Sequence, residues 1–531
     1  MKNLKKLAAL LLTVLMVFAL FAACGKDENQ NEETEKIDDT QIQQNEENQT
    51  EEQEPAHEDK IVIALATEPT SLNPYDHAAV VSGYMNQLTY NRLFTYDIET
   101  LQPVPDLVES YENVDEVTWR FTLKENIQFH DGTVMTSEDV KASMEFARSF
   151  TSSNKYTGFW QSVDIVDDRT FTITTNGPYA LILDDLAANG NTIVPKHLID
   201  EGNDFNQNPI GSGPYKFVAW DLGTSLTFVK NDNYFDTEHQ PQITDMVWRI
   251  IPEGSSRTIA LETGEADLII DVESTDVERI RSAEGFELEE VDGLRMAFFS
   301  VNNENPMFSN PLVRKALNAL IDKEAVVQVA VNGQGVASVS MNPIAYMGVT
   351  EEGADVYDPD KAMEYLQQAN VDPADLHFTC MAYTDETRRS AEVIQGCLQQ
   401  AGITMEIESL DFAAWLERLL AGDFEAAVGG FSSSNVLTYM RGLWHTSTIG
   451  ATNNARISDP QIDSLIEQAE ATLDEAARTE IITQISKLTN EATPFIPLYT
   501  TSVIRAFNAD LQGTAVSAAG LMYYSDLCWA D

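Results

Sequence analysis

The chain has 531 residues, with 85 Asp and Glu against 33 Lys and Arg and a formal net charge of -52. That balance argues strongly against a nucleic-acid partner, whose phosphates need Lys and Arg, and against electrostatic adhesion to anionic lipid. The length is too great for a single core, so two or three domains are expected.

Lys2, Lys5 and Lys6 precede an apolar run from Leu7 to Ala23, which closes in Phe21-Ala22-Ala23-Cys24-Gly25. Residues 1–23 read as a secretory signal peptide. A cysteine directly after two small residues resembles a bacterial lipobox, with Phe21 where Leu is usual. The resemblance implies a diacylglycerol on Cys24 and a protein held by lipid at the outer face of the cytoplasmic membrane. A retained membrane-spanning helix is the competing reading, and the run is close to the lower length limit for one. Residues 24–59 follow as Glu, Gln, Asn, Asp and Thr with almost no core formers. They cannot bury enough apolar surface to offset chain entropy, and they read as a disordered acidic tether. Removing the leader's three lysines and the net -11 of residues 26–60 leaves the remainder near -44.

From residue 60 the pattern is mixed α/β. Lys60–Leu65 reads as a buried strand, followed by a turn-rich loop at 68–74. Residues 118–123 alternate like a half-buried strand and lead to His130-Asp131-Gly132, where Asp-Gly marks a tight turn. Thr136 caps a helix, with Asp139 completing a capping box. Residues 225–230 carry a hairpin pattern, and 257–264 read as a helix before a strand at 268–270. Residues 311–330 read as one or two helices, and Asp358-Pro359 opens another to Ala369. A strand near His377, a helix over 386–402 ending at Gly402, and a strand at 403–407 make a βαβ unit. Cys380, Cys397 and Cys528 are an odd count for an exported protein. They read as buried free thiols, although a bridge between Cys380 and Cys397 is conceivable.

The segments Trp119-Arg120-Phe121-Thr122-Leu123, Phe129-His130-Asp131-Gly132, Gly211-Ser212-Gly213-Pro214-Tyr215 and Asn231-Asp232-Asn233-Tyr234 occur in that order. Ala260–Asp267, Val313–Leu317 and Tyr357–Ala362 complete the set. This ordered set resembles the family 5 extracellular solute-binding proteins of ABC importers, which bind dipeptides, oligopeptides, nickel and related ligands. The resemblance covers nearly all residues after 60. It implies an α/β, two-lobed type II periplasmic-binding-protein fold with an inserted third subdomain in the first lobe. Lobe one would be 60–93, 196–294 and 500–531, the insert 94–195, and lobe two 295–499. Two or three crossing strands would serve as a hinge. It further implies a monomer that closes on a small solute or peptide and docks on permease and ATPase subunits, with no cofactor.

His130-Asp131 tempts as a catalytic pair but reads as structural. No metalloprotease, nucleophile-elbow, phosphate-loop or Cys-x-x-Cys motif is present, and no histidines fall at metal-ligand spacing. The expectation is a binder with no catalytic residues and no metal. The resemblance points to four ligand-contacting places: Glu68 in the loop after the first strand, Tyr156 and Trp160 in the insert, Phe431, Ser432, Ser434 and Asn435 in a lobe-two loop, and Tyr499 near the last crossover. Core packing is the alternative for Trp160 and Tyr499. Many peptide binders of the family keep an acid about three positions after the cleft aromatic, and here the stretch is Ser432-Ser433-Ser434. Either Glu68 or another acid supplies that charge, or the ligand is not a free-amine peptide. Arg441 could hold a carboxylate or be a surface residue. The rival functions are a binder of a non-peptide solute such as a nickel chelate or oligosaccharide, a peptide-signal sensor, and an exported hydrolase.

Overall fold

The computed structural model of the protein describes residues 59–76, 80–153 and 157–530. The expected signal peptide, Cys24, the expected tether up to residue 58 and Tyr156 lie outside them. The described residues form a mixed α/β fold organised by an eleven-stranded sheet.

Two long strands, Phe286–Val301 and Phe495–Asn508, pair antiparallel and run through the middle of that sheet. On one side lie Leu268–Ile269, Lys60–Leu65, Asp245–Ile250, Ser225–Lys230 and Tyr215–Asp221; on the other lie Ala426–Phe431, His377–Ala382 and Thr404–Ser409. Each long strand therefore serves two cores in succession. Residues 286–292 pair with 502–508 on the first side, and 296–300 pair with 495–500 on the second. The ladder is irregular between Asp292 and Met296. Gly293 sits in that break, where a Cβ would lie 2.3 Å from the Thr501 carbonyl oxygen, so only glycine lets the two backbones cross so closely. Pro497 falls at a second irregularity, between Ala297 and Phe298, where a strand can lack an N–H donor.

The βαβ unit forms as the sequence predicts: His377–Ala382 and Thr404–Ser409 are parallel neighbours joined by the helix Asp385–Gln400, with Gly402 at φ +85° beyond it. Residues 311–330 resolve into two helices, Pro311–Leu320 and Lys323–Ala330. Extended backbone at Ile321 ends the first, and the Asp322 carboxylate caps the second by accepting from Ala325 N at 3.1 Å. The helix read as starting at Arg257 begins at Gly254, because the Glu253 carboxylate accepts from Ser255 N and Ser256 N. Helices pack on both faces of the far sheet half. Its buried clusters gather Phe299, Leu317 and Phe378 on one face and Phe298, Trp444 and Phe495 on the other.

A four-stranded antiparallel sheet, ordered Val108–Asn113, Thr118–Leu123, Thr170–Thr175, Trp160–Ile165, builds a separate core around Phe121, Phe171 and Ile173. The capping box holds: Asp139 Oδ2 accepts from Thr136 N at 2.8 Å and from its hydroxyl at 2.9 Å. His130 ties this core to the Gly211–Gly213 loop. Its Nε2 lies 3.0 Å from the Gly213 carbonyl, and burial lowers its pKa to about 4. Gly211 and Gly213 press against the end of the helix Val80–Thr89, leaving no room for a side chain. The cysteines Cys380, Cys397 and Cys528 are free, and burial raises Cys380 to about 12.

Candidate functional site

The strand Ala426–Phe431 pairs with the crossing strand so that Phe431 stands opposite Met296, at the edge of the ladder break. Gly429 and Gly430 make this possible. A Cβ on Gly429 would lie 3.1 Å from the Trp415 ring, and one on Gly430 would lie 3.0 Å from Arg295 Nη2. The chain then turns through Ser432-Ser433-Ser434 into the helix Val436–Trp444. Asn435 caps that helix, its Oδ1 accepting from Leu437 N at 2.8 Å and Thr438 N at 3.1 Å.

This turn opens onto a cavity of 880 Å³ centred on the ladder break. Gly293, Leu294 and Arg295 of one crossing strand and Thr501 and Val503 of the other form its back. Tyr84 and Gln87 of the helix Val80–Thr89 close one side, and residues 179–188 close another. The volume falls in the range of small-molecule sites, and such sites favour boundaries between substructures.

The four candidates Phe431, Ser432, Ser434 and Asn435 all line this cavity. Phe431 is half-buried, tilted against Tyr439 with centroids 5.6 Å apart and resting over Gly442. Glu68, Trp160 and Tyr499 are not on the cavity wall. The Glu68 carboxylate accepts from Trp220 Nε1 at 3.2 Å and Gly223 N at 2.8 Å, and so holds the tip of a hairpin. Trp160 is buried in the four-stranded core beneath the Arg148 guanidinium, 3.2 Å from its ring centroid. Tyr499 is fully buried, yet it reaches the site indirectly. Its hydroxyl donates to Glu386 at 2.8 Å, and Glu386 pairs with Arg295 at 3.0 Å.

Two acids face the serine turn across the cavity. Asp184 and Asp185, in the short helix Ile182–Ala187, line the cavity from the opposite side. Asn435 Nδ2 donates to Asp184 Oδ1 at 2.8 Å, and the Tyr179 hydroxyl donates to Asp185 Oδ2 at 2.7 Å. Burial raises Asp184 to about 6. Burial raises Asp185 to about 8, and repulsion from Asp184 and Glu470 adds to it. Arg441 also lines the cavity, where it grips Glu470 through Nε and Nη2. The segment carrying the aspartates is docked on the partner wall. Ala180 N donates to the Glu470 carbonyl at 2.7 Å, and Leu181 joins the buried cluster of Leu437 and Trp444. Sequence reading missed Asp184 and Asp185 because an acid pair carries no signal in a chain with 85 acids.

A smaller cavity of 130 Å³ adjoins the first, sharing Gln87, Arg92, Tyr96 and Leu521 with it and extending to Asp106 and His239. Among the described residues, no group of three or more His, Cys, Asp or Glu is placed to hold a metal ion. The wall groups can hydrogen-bond, pair charge and stack.

The sequence profile of bacterial extracellular solute-binding proteins, family 5 (middle region) matches residues 102–451. The chain is similar to the glutathione-binding protein GsiB of Pectobacterium atrosepticum, at 26% identity over 485 residues, 88% of this chain and 93% of that protein. It is similar to heme-binding protein A of Haemophilus influenzae, at 24% identity over 526 residues, 92% of this chain and 93% of that protein. Its fold is similar to that of the ABC transporter-associated periplasmic binding protein DppA of Helicobacter pylori in complex with the peptide STSA. The TM-score is 0.74 at 23% identity, over 89% of this chain and 98% of that one.

Proposed function

The chain belongs to the bacterial extracellular solute-binding proteins of family 5, the substrate-binding components of ABC importers, and from that premise we propose that its cargo is a peptide-like solute. Members of the family act outside the cytoplasm. The observation that carries the reading is the 880 Å³ cavity where two crossing strands change from one core to the other. A break in an otherwise continuous ladder is a place where two rigid bodies can rotate with few contacts to remake. Solute bound between them supplies the differential affinity that favours the closed arrangement.

The break at 293–295, opposite residues 500–502, supports lobe limits of 60–93, 196–294 and 500–531 against 295–499, with 94–195 inserted. Phe431 serves as an apolar wall, with Ser432, Ser434 and Asn435 as polar contacts. A wall that sets hydrogen-bonding and charged groups among four aromatic rings, Tyr84, Tyr96, Tyr179 and Phe431, suits a solute with amide and ionised groups. The protein acts by capture and release without chemistry of its own, as a monomer. Cys24 carries the lipid, and residues 24–59 give the domain reach from the membrane. Calorimetric titration with peptides of two to six residues tests the reading, with small-angle scattering to follow closure. Saturable binding with a decrease in radius of gyration is expected; peptides that neither bind nor close the protein would overturn it.

A further inference from the structure

We propose that the cleft selects an organic cation, seating an ammonium or guanidinium group against Asp184 and Asp185. The inference deepens the solute-binding reading above and rests on it. It comes from the charge balance of the whole cavity wall, which carries three arginines, Arg92, Arg295 and Arg441, and three acids, Asp184, Asp185 and Glu470. Each arginine already faces a carboxylate. Arg441 is gripped by Glu470, Arg295 pairs with Glu386 just behind the wall, and Arg92 lies in the field of Asp106. With Arg478, which lies off the wall as Asp106 and Glu386 do, four arginines stand against five carboxylates, and Asp184 and Asp185 are the wall acids that make no ion pair among the described residues.

Among the described residues, their carboxylates accept from neutral side-chain donors, the Asn435 amide and the Tyr179 hydroxyl. Arg478 reaches Asp184 by its field alone; its Nη1 donates to the Thr472 and Leu473 carbonyls, and it is not on the cavity wall. Carboxylates held in a closed cleft without a cation are costly, and a ligand cation removes that cost when it binds. An anionic ligand meets the reverse situation. Arg295 and Arg441 are engaged in ion pairs and Arg92 already sits in the field of Asp106, so it must compete with those carboxylates and also face Asp184 and Asp185. Selectivity for positive charge follows from what the wall lacks as much as from what it offers.

The experiment is calorimetry with the mature protein at pH 8 and low salt. The panel is Lys-Ala-Lys, Ala-Ala-Ala, Glu-Ala-Glu, glutathione and the non-peptide cation spermidine. The cations are expected to bind at least about tenfold more tightly than Glu-Ala-Glu and glutathione, the scale on which loss of a desolvated charge partner is felt. The double variant D184N/D185N should lose that preference without weakening the anions. Because it removes charge and keeps shape, its melting temperature should not fall, which separates a binding effect from misfolding. Spermidine binding without any peptide would overturn the peptide reading and uphold this one. Tight binding of Ala-Ala-Ala or Glu-Ala-Glu with the cations silent would overturn this inference and leave the peptide reading standing. Equal affinities across charge would do the same. Silence of the entire panel would overturn both.

Discussion

Phe431→Ala separates a wall residue from a core residue, and the structure sets the size of both effects. Full burial of a phenylalanine side chain stabilises by about 3 kcal/mol. Phe431 is half-buried in the empty protein, packed on Tyr439 and Gly442, with its remaining surface turned to the cavity. Folding therefore realises most of that figure, about 2 kcal/mol, and a ligand covering the exposed remainder adds about 1 kcal/mol. The variant should lose about 2 kcal/mol of stability, a drop of about 2 °C in melting temperature for a folded part of this length. It should also lose about 1 kcal/mol of affinity, about fivefold. The assay is paired scanning calorimetry and titration calorimetry, using the tightest binder of the peptide panel. A melting temperature lowered by that amount with affinity unchanged would refute the reasoning, because the exposed part of the ring would then face no ligand. The expectation differs from one made on sequence alone, where an aromatic flanked by small polar residues should cost little stability.

Four further outcomes are expected. Affinity for a cationic peptide should rise with pH between about 5 and 9, since Asp184 and Asp185, raised to about 6 and about 8, must lose their protons before they can pair with it. Tyr179 and the Arg441–Glu470 pair face the same groups, so Tyr179→Phe should shift the profile to higher pH by removing the donor that favours ionised Asp185; titration calorimetry across that range checks both. The native pKa of His130 is depressed, so the stability it contributes is present above its unfolded value near 6.5 and is lost as pH falls towards 4, by on the order of 2 kcal/mol. Denaturant melts from pH 4 to 8 should show this slope, and His130→Gln should flatten it. Gly213→Ala places a methyl 2.4 Å from the Leu88 carbonyl oxygen and should cost at least about 3 kcal/mol or abolish soluble expression. Gly132→Ala, in open space at φ +88°, should cost about 1 kcal/mol by the same melts. A thiol-titrating reagent should leave Cys380 unmodified in the native protein and react with it only after unfolding, since the thiol is buried and its pKa is raised to about 12.

Much of this molecule was legible from local chemistry. Elements whose ends carry their own stop signals, such as the helix capped at Thr136 and the βαβ unit closed by Gly402, form where the sequence puts them. The sequence leaves the split at Ile321-Asp322 open because apolar spacing continues across it, and only the capping bond of Asp322 marks the second start. The serine turn with Phe431 and Asn435 is readable as a candidate cavity wall because it is one short segment, and small polar residues around an aromatic stand out within it. Glu68, Trp160 and Tyr499 show the limit of that approach. Position in the chain says that a residue lies near a cleft, whereas its contacts decide whether it faces inward, and here a hairpin tip, a separate core and the half-buried Glu386 carboxylate take those side chains.

The sequence by itself determined the mixed α/β class and the capping and turn residues, because each rests on residues a few positions apart, and the family, because its short motifs recur in order along the chain. Only the tertiary structure decided the electrostatics of the cleft. Asp184 lies hundreds of positions from Asn435 and Glu470, and no periodicity links them. They meet because two crossing strands bring the inserted segment against the far wall. Whether a carboxylate is a solvated surface charge or a buried one seeking a cation depends on that meeting, since desolvation is a property of the assembled surroundings and not of the residue.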